Sequence, residues 1–150
     1  MNPNTLLVLN AAATFFMTGL IWLVQIVHYP LFAQVGNAGF IDYERQHAFR
    51  ISFIVAPVML LELVTAITLL AVRPRYIPAW AAMVGLLLVV LLWLSTLLLQ
   101  SPRHVRLAMG FDAAVLSSLI ATNWIRTVGW TLRSALVAWM LWLGLERVGQ

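Results

Sequence analysis

The sequence predicts an all-α integral membrane protein, built as an antiparallel bundle of four membrane-spanning helices. The chain is 63% hydrophobic and only 9% charged, whereas soluble domains are roughly 45–50% apolar and about 25% charged. Its apolar residues form runs near the length of about 20 residues that a spanning helix needs. Since lipid admits only helices or closed barrels, four such runs with short links indicate a helical bundle.

Four segments are assigned as spans, within a single domain that covers residues 1–150. We place them at 6–27, 51–72, 79–99 and 128–145. Pro74 and Pro78 predict a tight turn between the second and third. Asp112 is expected to cap a helix that runs through 113–127 into the fourth span, so that this last helix extends beyond the bilayer.

The charged residues indicate which kind of molecule surrounds this protein. All nine basic residues are arginines, and the net charge is +4. A basic, aromatic-bearing surface for nucleic acid is missing, so the expected surroundings are the lipid bilayer. The chain contains no cysteine, which removes thiolate ligands and nucleophiles.

All three histidines are expected at one end of the bundle. In an antiparallel arrangement the first and third spans end on the membrane face where the second and fourth begin. His28, His47 and His104 therefore gather there, together with Glu44. The same end carries most of the arginines, and the positive-inside rule would place it in the cytoplasm, with both termini outside. The expected location of the chain is a bacterial inner membrane.

A metal site is the first functional hypothesis for this end. Glu44 and His47 are three residues apart and share one helix face, the spacing with which helical bundles present two metal ligands. With His28 and His104 they would give a site of nitrogen and oxygen ligands suited to iron, copper, zinc or haem. The alternative is that Glu44 only pairs with Arg45 or Arg103.

The fourth span carries a polar stripe. Asn123, Arg126, Trp130 and Arg133 are spaced by three, four and three residues, so they lie on one side of a helix. Arg133 is too deep to reach the head groups easily, and we expect the stripe to face inward. The alternative is that both arginines extend to the head groups.

Glu62 is the partner expected for Arg133, because an intramembrane carboxylate needs one. The pair would either close the floor of a cavity that opens at the histidine end or only hold the helices together. Glu62, Arg126 and Arg133 are therefore the candidate catalytic residues.

The first span ends in a second polar group. Gln25 lies three residues before His28 on the same helix face, and Tyr29 and Pro30 are expected to end the helix. With Asn123, Gln25 and Tyr29 are the candidate cofactor-binding residues.

The segments HYPLF, P-x-H-x-x-L and NWIRTVGW-x-x-R together resemble small bacterial four-helix membrane proteins. In this respect the chain is similar to the anthrone-oxygenase-like group of uncharacterised families. The resemblance covers the topology of the whole chain and implies an oxygenase or oxidase that acts on a lipophilic substrate. No catalytic residue is carried over from it.

Three functions remain open at this point. The first is a metal- or haem-dependent membrane oxidoreductase, in which the arginines and Asn123 hold a small lipophilic or anionic substrate. The second is a transport or binding module built on Glu62 and Arg133, which would require a homo-oligomer. The third is an accessory subunit of a larger membrane complex.

Overall fold

The computed structural model describes residues 2–148 and contains four long helices. They are α1 (Pro3–Gln34), α2 (Phe40–Val72), α3 (Ala79–Leu107) and α4 (Ala113–Val148). Each is long and apolar enough to cross a membrane. All four predicted spans lie inside these helices, and residues 113–145 belong to one helix, as predicted.

Contacts at the two ends of the bundle show that α1 and α2 run antiparallel. At one end, His28 near the end of α1 lies 2.9 Å from His47 near the start of α2. At the other, the Tyr76 hydroxyl, just beyond the end of α2, donates to Asn4 near the start of α1 at 3.0 Å. The end of α1 and the start of α2 therefore meet at the end of the bundle where the histidines were predicted to lie.

Local signals set the helix boundaries. The Asp112 carboxylate accepts from the backbone N–H groups of Ala114 at 2.8 Å and Val115 at 3.1 Å, which confirms the predicted cap. The turn at 73–78 closes where the Ile77 N–H donates to the Pro74 carbonyl at 3.0 Å.

The prediction that α1 ends at Tyr29 and Pro30 is wrong. A π-helical turn occupies Val24–His28, and the chain then continues as helix to Gln34. A second π-helical turn lies at Thr96–Gln100 in α3, and Pro102 follows it closely. In each case the proline lies in the first turn of a new α-helical segment, where a missing N–H is tolerated. The chain can therefore pass through both prolines without leaving the helix.

The long helices exceed the thickness of a bilayer core. The 36 residues of α4 measure about 54 Å at 1.5 Å per residue, against roughly 30 Å of hydrocarbon. Large apolar side chains such as Phe53 and Leu98 point outward, each 66% exposed. Inside the bundle, Met17, Ile21 and Trp130 belong to one apolar cluster, and Leu69 and Met140 belong to a second.

Candidate functional site

A cavity of about 510 Å³ lies between the helices at the histidine end. We call it the histidine-end cavity. Most of its wall is apolar, including Met17 and Met59. Its polar lining includes Tyr29, His47, Gln100, His104 and Arg126.

The cavity reaches the flank of the bundle between α2 and α3. Ser52 and Ala56 of α2 and Leu97 and Val105 of α3 line it, and all four are exposed at the protein surface. Leu97 is 54% and Val105 63% exposed.

The three histidines are brought together as predicted. His28 Nε2 lies 2.9 Å from His47 Nδ1, and the rings of His47 and His104 have centroids 5.5 Å apart. His47 and His104 line the cavity, whereas His28 stands behind His47.

A chain of hydrogen bonds links Glu44 to the cavity. Glu44 is fully buried, and its Oε1 lies 2.5 Å from His104 Nδ1. His104 Nε2 lies 2.9 Å from the hydroxyl of Tyr29. Since an ionised carboxylate only accepts, Nδ1 of His104 is the nitrogen that donates to Glu44, and Nε2 is the nitrogen that shares a hydrogen bond with Tyr29. Glu44 thus pairs with His104, and neither Arg45 nor Arg103 takes the role that the sequence allowed.

This arrangement does not form a ready metal centre. Within residues 2–148, no group of three or more His, Cys, Asp or Glu side chains is placed to hold a metal ion. His28 and His47 direct nitrogens at each other, and both ring nitrogens of His104 have protein partners. Metal or haem binding by His28, Glu44, His47 and His104 stays a prediction, and it would require these hydrogen bonds to rearrange.

Arg126 is the buried cation of the cavity. It is 5% exposed, and its guanidinium lies beside the Tyr29 hydroxyl and 5.2 Å from the ring centre of Trp130. Within the described chain, no carboxylate lies in ion-pair distance of it. The inward orientation predicted for the stripe is therefore correct, since Asn123, Arg126, Trp130 and Arg133 are all buried.

Gln25 and Asn123 hold Arg126 in place. The Asn123 amide donates to Gln25 Oε1 at 2.9 Å, and its oxygen accepts from Arg126 Nη1 at 3.1 Å. Thr127 adds a hydroxyl donor to Gln25 Oε1 at 3.3 Å. Neither amide lines the cavity, and both support the arginine that does face it. Cofactor binding by Gln25, Tyr29 and Asn123 stays a prediction.

Three unpartnered polar atoms belong to residues of the cavity wall. Arg126 Nε, Trp93 Nε1 and Gln100 Oε1 are buried and have no hydrogen-bond partner among the described residues. Leaving a buried polar atom unpaired costs about 1–3 kcal/mol. The other buried unpartnered side-chain atoms among the described residues, Glu44 Oε2 and Ser95 Oγ, belong to residues that do not line the cavity.

Glu62 and Arg133 form the predicted ion pair deeper in the bundle. Arg133 Nε donates to Glu62 Oε1 at 2.6 Å, and both side chains are 1% exposed. The other guanidinium nitrogens donate to the Gly85 carbonyl at 2.6 Å and to Asn10 Oδ1 at 2.9 Å. Arg133 therefore joins α4 to the other three helices.

Glu62 is equally well satisfied. Its carboxylate accepts from the Thr14 hydroxyl at 2.7 Å and from Trp130 Nε1 at 3.0 Å, besides Arg133. Neither Glu62 nor Arg133 lines the cavity. The interpretation in which the pair closes the cavity floor is wrong, because every polar atom of the pair is already used by helix-to-helix contacts.

Trp93 and Gln100 line the cavity but were not predicted from the sequence as site residues. Trp93 resembles the other tryptophans, which suit interfacial belts and packing. Gln100 had a usable signal, because it ends an apolar run just before Ser101 and Pro102, as Gln25 and His28 do before Pro30.

A scan against protein-family models and searches of curated proteins and of solved structures found no match to this chain.

Proposed function

We propose that this chain is a membrane-embedded protein that binds a small lipophilic molecule in the histidine-end cavity. An anionic or carbonyl oxygen of that molecule would lie against Arg126. The observation that carries the proposal is the buried guanidinium of Arg126, which has an unpaired Nε and no carboxylate partner among residues 2–148.

The contrast with Arg133 supports a ligand role for Arg126. Both guanidiniums are buried in the same helix, and a buried charge is costly unless it is paired and hydrogen-bonded. Arg133 has a carboxylate and two further acceptors. Arg126 has one amide oxygen, a tyrosine hydroxyl and an aromatic ring. An oxygen-rich guest would supply what Arg126 lacks, since guanidinium binds such groups bidentately.

The walls support a lipophilic guest. The lining is mainly apolar, and the opening lies on the flank of the bundle between α2 and α3. A cavity of about 510 Å³ falls within the range of roughly 300–1,000 Å³ that is usual for small-molecule sites.

Equilibrium dialysis of labelled decanoate tests the proposal, with the protein in zwitterionic lipid nanodiscs and empty nanodiscs as the blank. We expect saturable binding that weakens at least about ten-fold in Arg126→Met, the loss of one charged hydrogen bond. Arg106→Met is the matched control, because Arg106 lies at the same end but does not line the cavity.

A second pair of variants tests the cavity without touching Arg126. Ala56→Phe fills the cavity from α2 and should abolish decanoate binding, whereas Ala71→Phe, exposed on the same helix and remote from the cavity, should not. Binding that survives both Arg126→Met and Ala56→Phe would overturn the proposal.

A metal-dependent oxidoreductase is the second candidate, favoured by the contact of His28 with His47 and by the neighbouring His104. Iron, copper and zinc would each be supplied to the purified protein, followed by metal analysis and an optical spectrum. Stoichiometric metal that is lost in each single His→Ala variant would support this function. A folded, colourless preparation that retains none of the three metals would count against it.

A further inference from the structure

We infer that the molecule bound in the histidine-end cavity also carries a hydrogen-bond donor, which Gln100 Oε1 accepts. This inference rests on the proposed function and narrows its ligand class. The guest would be a lipophilic molecule with both an oxygen acceptor and a hydroxyl group, such as an aliphatic hydroxy acid. A simple fatty acid would leave Gln100 unpaired.

The orientation of the Gln100 amide follows from Thr122. The Thr122 hydroxyl gives its single proton to the Ser118 carbonyl at 2.7 Å. It can therefore only accept from Gln100, whose Nε2 donates to it at 3.1 Å. Rotating the amide would set Oε1 against an oxygen with no proton left to give. Gln100 Oε1 is thus the free atom of the amide.

No neighbouring hydroxyl supplies the missing donor. Thr96 and Ser101 also line the cavity, but both hydroxyl groups donate to backbone carbonyls. Thr96 donates to Leu92 at 2.8 Å, and Ser101 donates to Thr96 at 3.0 Å. Gln100 is itself only 2% exposed, so its free acceptor is a buried atom of a residue that lines the cavity.

The same cavity holds donors that do not reach this acceptor. Trp93 Nε1 and Arg126 Nε are unpaired as well. A guest with an acceptor alone would satisfy Arg126 or Trp93 and leave Gln100 desolvated. A guest with both an acceptor and a hydroxyl group pairs with the donors and with Gln100. A site of this kind rejects an analogue without the hydroxyl group, because that analogue leaves a buried polar group of the protein unpaired.

A cycle of protein and ligand changes tests this inference. The probes are decanoate, 2-hydroxydecanoate and 3-hydroxydecanoate, measured by the dialysis assay in nanodiscs. We expect wild-type protein to bind one hydroxy isomer about ten-fold more tightly than decanoate. Gln100→Met should remove that preference, so that the ratio of hydroxydecanoate to decanoate affinity falls to about one, as expected when a single hydrogen bond is lost. Gln46→Met, an exposed glutamine on α2, is the matched control.

Thr122→Val provides a second variant if Gln100→Met does not fold. It removes the partner that orients the amide, so the hydroxyl preference should fall while decanoate affinity is kept. Arg126-dependent binding of decanoate with no preference for either hydroxy isomer would overturn the inference and leave the proposed function standing. Failure of all three probes to bind would overturn both.

Discussion

Trp130 hydrogen-bonds Glu62 and so connects the Glu62–Arg133 ion pair with Arg126 at the histidine-end cavity. Its indole N–H donates to Glu62 Oε2 at 3.0 Å, while Arg126 lies 5.2 Å from the centre of the same ring system. The ring is fully buried. One side chain thus contacts both the ion pair that ties the helices together and the cation that faces the cavity.

Trp130→Phe separates these two contacts. It keeps an aromatic ring near Arg126 but leaves Glu62 Oε2 without its donor, which should lower the free energy of unfolding by about 1–3 kcal/mol. Decanoate binding should change little. Trp130→Leu removes both contacts and should lower stability and binding together. Equal decanoate affinities in the two variants would contradict a role for the ring beside Arg126.

Arg133→Met should be among the most destabilising single changes in the chain. It leaves Glu62 buried without its cation, and breaking such a pair costs about 3–5 kcal/mol. The double variant Glu62→Leu/Arg133→Met should recover part of this loss, because no charge stays unpaired. Denaturant unfolding in detergent micelles measures both.

Glu146→Gln serves as the control for the ion pair, since Glu146 is exposed and should tolerate neutralisation. A single Arg133→Met variant as stable as wild type would show that the pair contributes little to folding.

Glu44 should set the tautomer of His104. In wild-type protein Nδ1 faces the carboxylate and Nε2 faces the Tyr29 hydroxyl, so we expect a ring proton on Nδ1. Nitrogen-15 chemical shifts of the His104 ring should report this protonation, and Tyr29→Phe should leave it in place while shifting Nε2. Glu44→Gln should redistribute the proton between the two nitrogens. An unchanged Nδ1 signal in Glu44→Gln would contradict this arrangement.

Gly129 allows α3 and α4 to approach closely. A Cβ at this position would lie 2.9 Å from Leu92 Cδ2, the end of a side chain that must shift to admit it, so Gly129→Ala should be less stable than Gly19→Ala by about 1 kcal/mol through overpacking. The double variant Leu92→Ala/Gly129→Ala should relieve that clash. Gly19→Ala is the control, because a Cβ there meets nothing within 4 Å and helix propensity favours it by about 0.5–1 kcal/mol. A destabilised Gly19→Ala would show that the comparison does not isolate packing.

The sequence alone predicted the features that depend on a single physical effect. Burial of a charge in hydrocarbon made Glu62 and Arg133 partners before any contact was known, and the antiparallel order of spans placed His28, His47 and His104 together. Both predictions needed only topology and the cost of an unpaired group.

The sequence was insufficient where side-chain direction decides the role. Gln25 and Asn123 lie at the same end of the bundle as Arg126, but the register of packing determines that they support it rather than line the cavity. Asn10 and Thr14 complete the ion-pair cluster, and their spacing of four residues was the available signal. The π-helical turns depend on hydrogen-bond register, which residue periodicity does not reveal.

The two π-helical turns occur in similar local sequence in the two halves of the chain. In each half, a first helix carries a π turn that ends in a polar residue, followed by one residue and a proline, as in His28-Tyr29-Pro30 and Gln100-Ser101-Pro102. In each half, the second helix carries one member of the ion pair, Glu62 or Arg133. Each helical hairpin of the bundle thus contributes one π turn near a proline and one buried charge of the ion pair. The histidine-end cavity lies between two π turns that share a backbone conformation, although one ends in His28 and the other in Gln100.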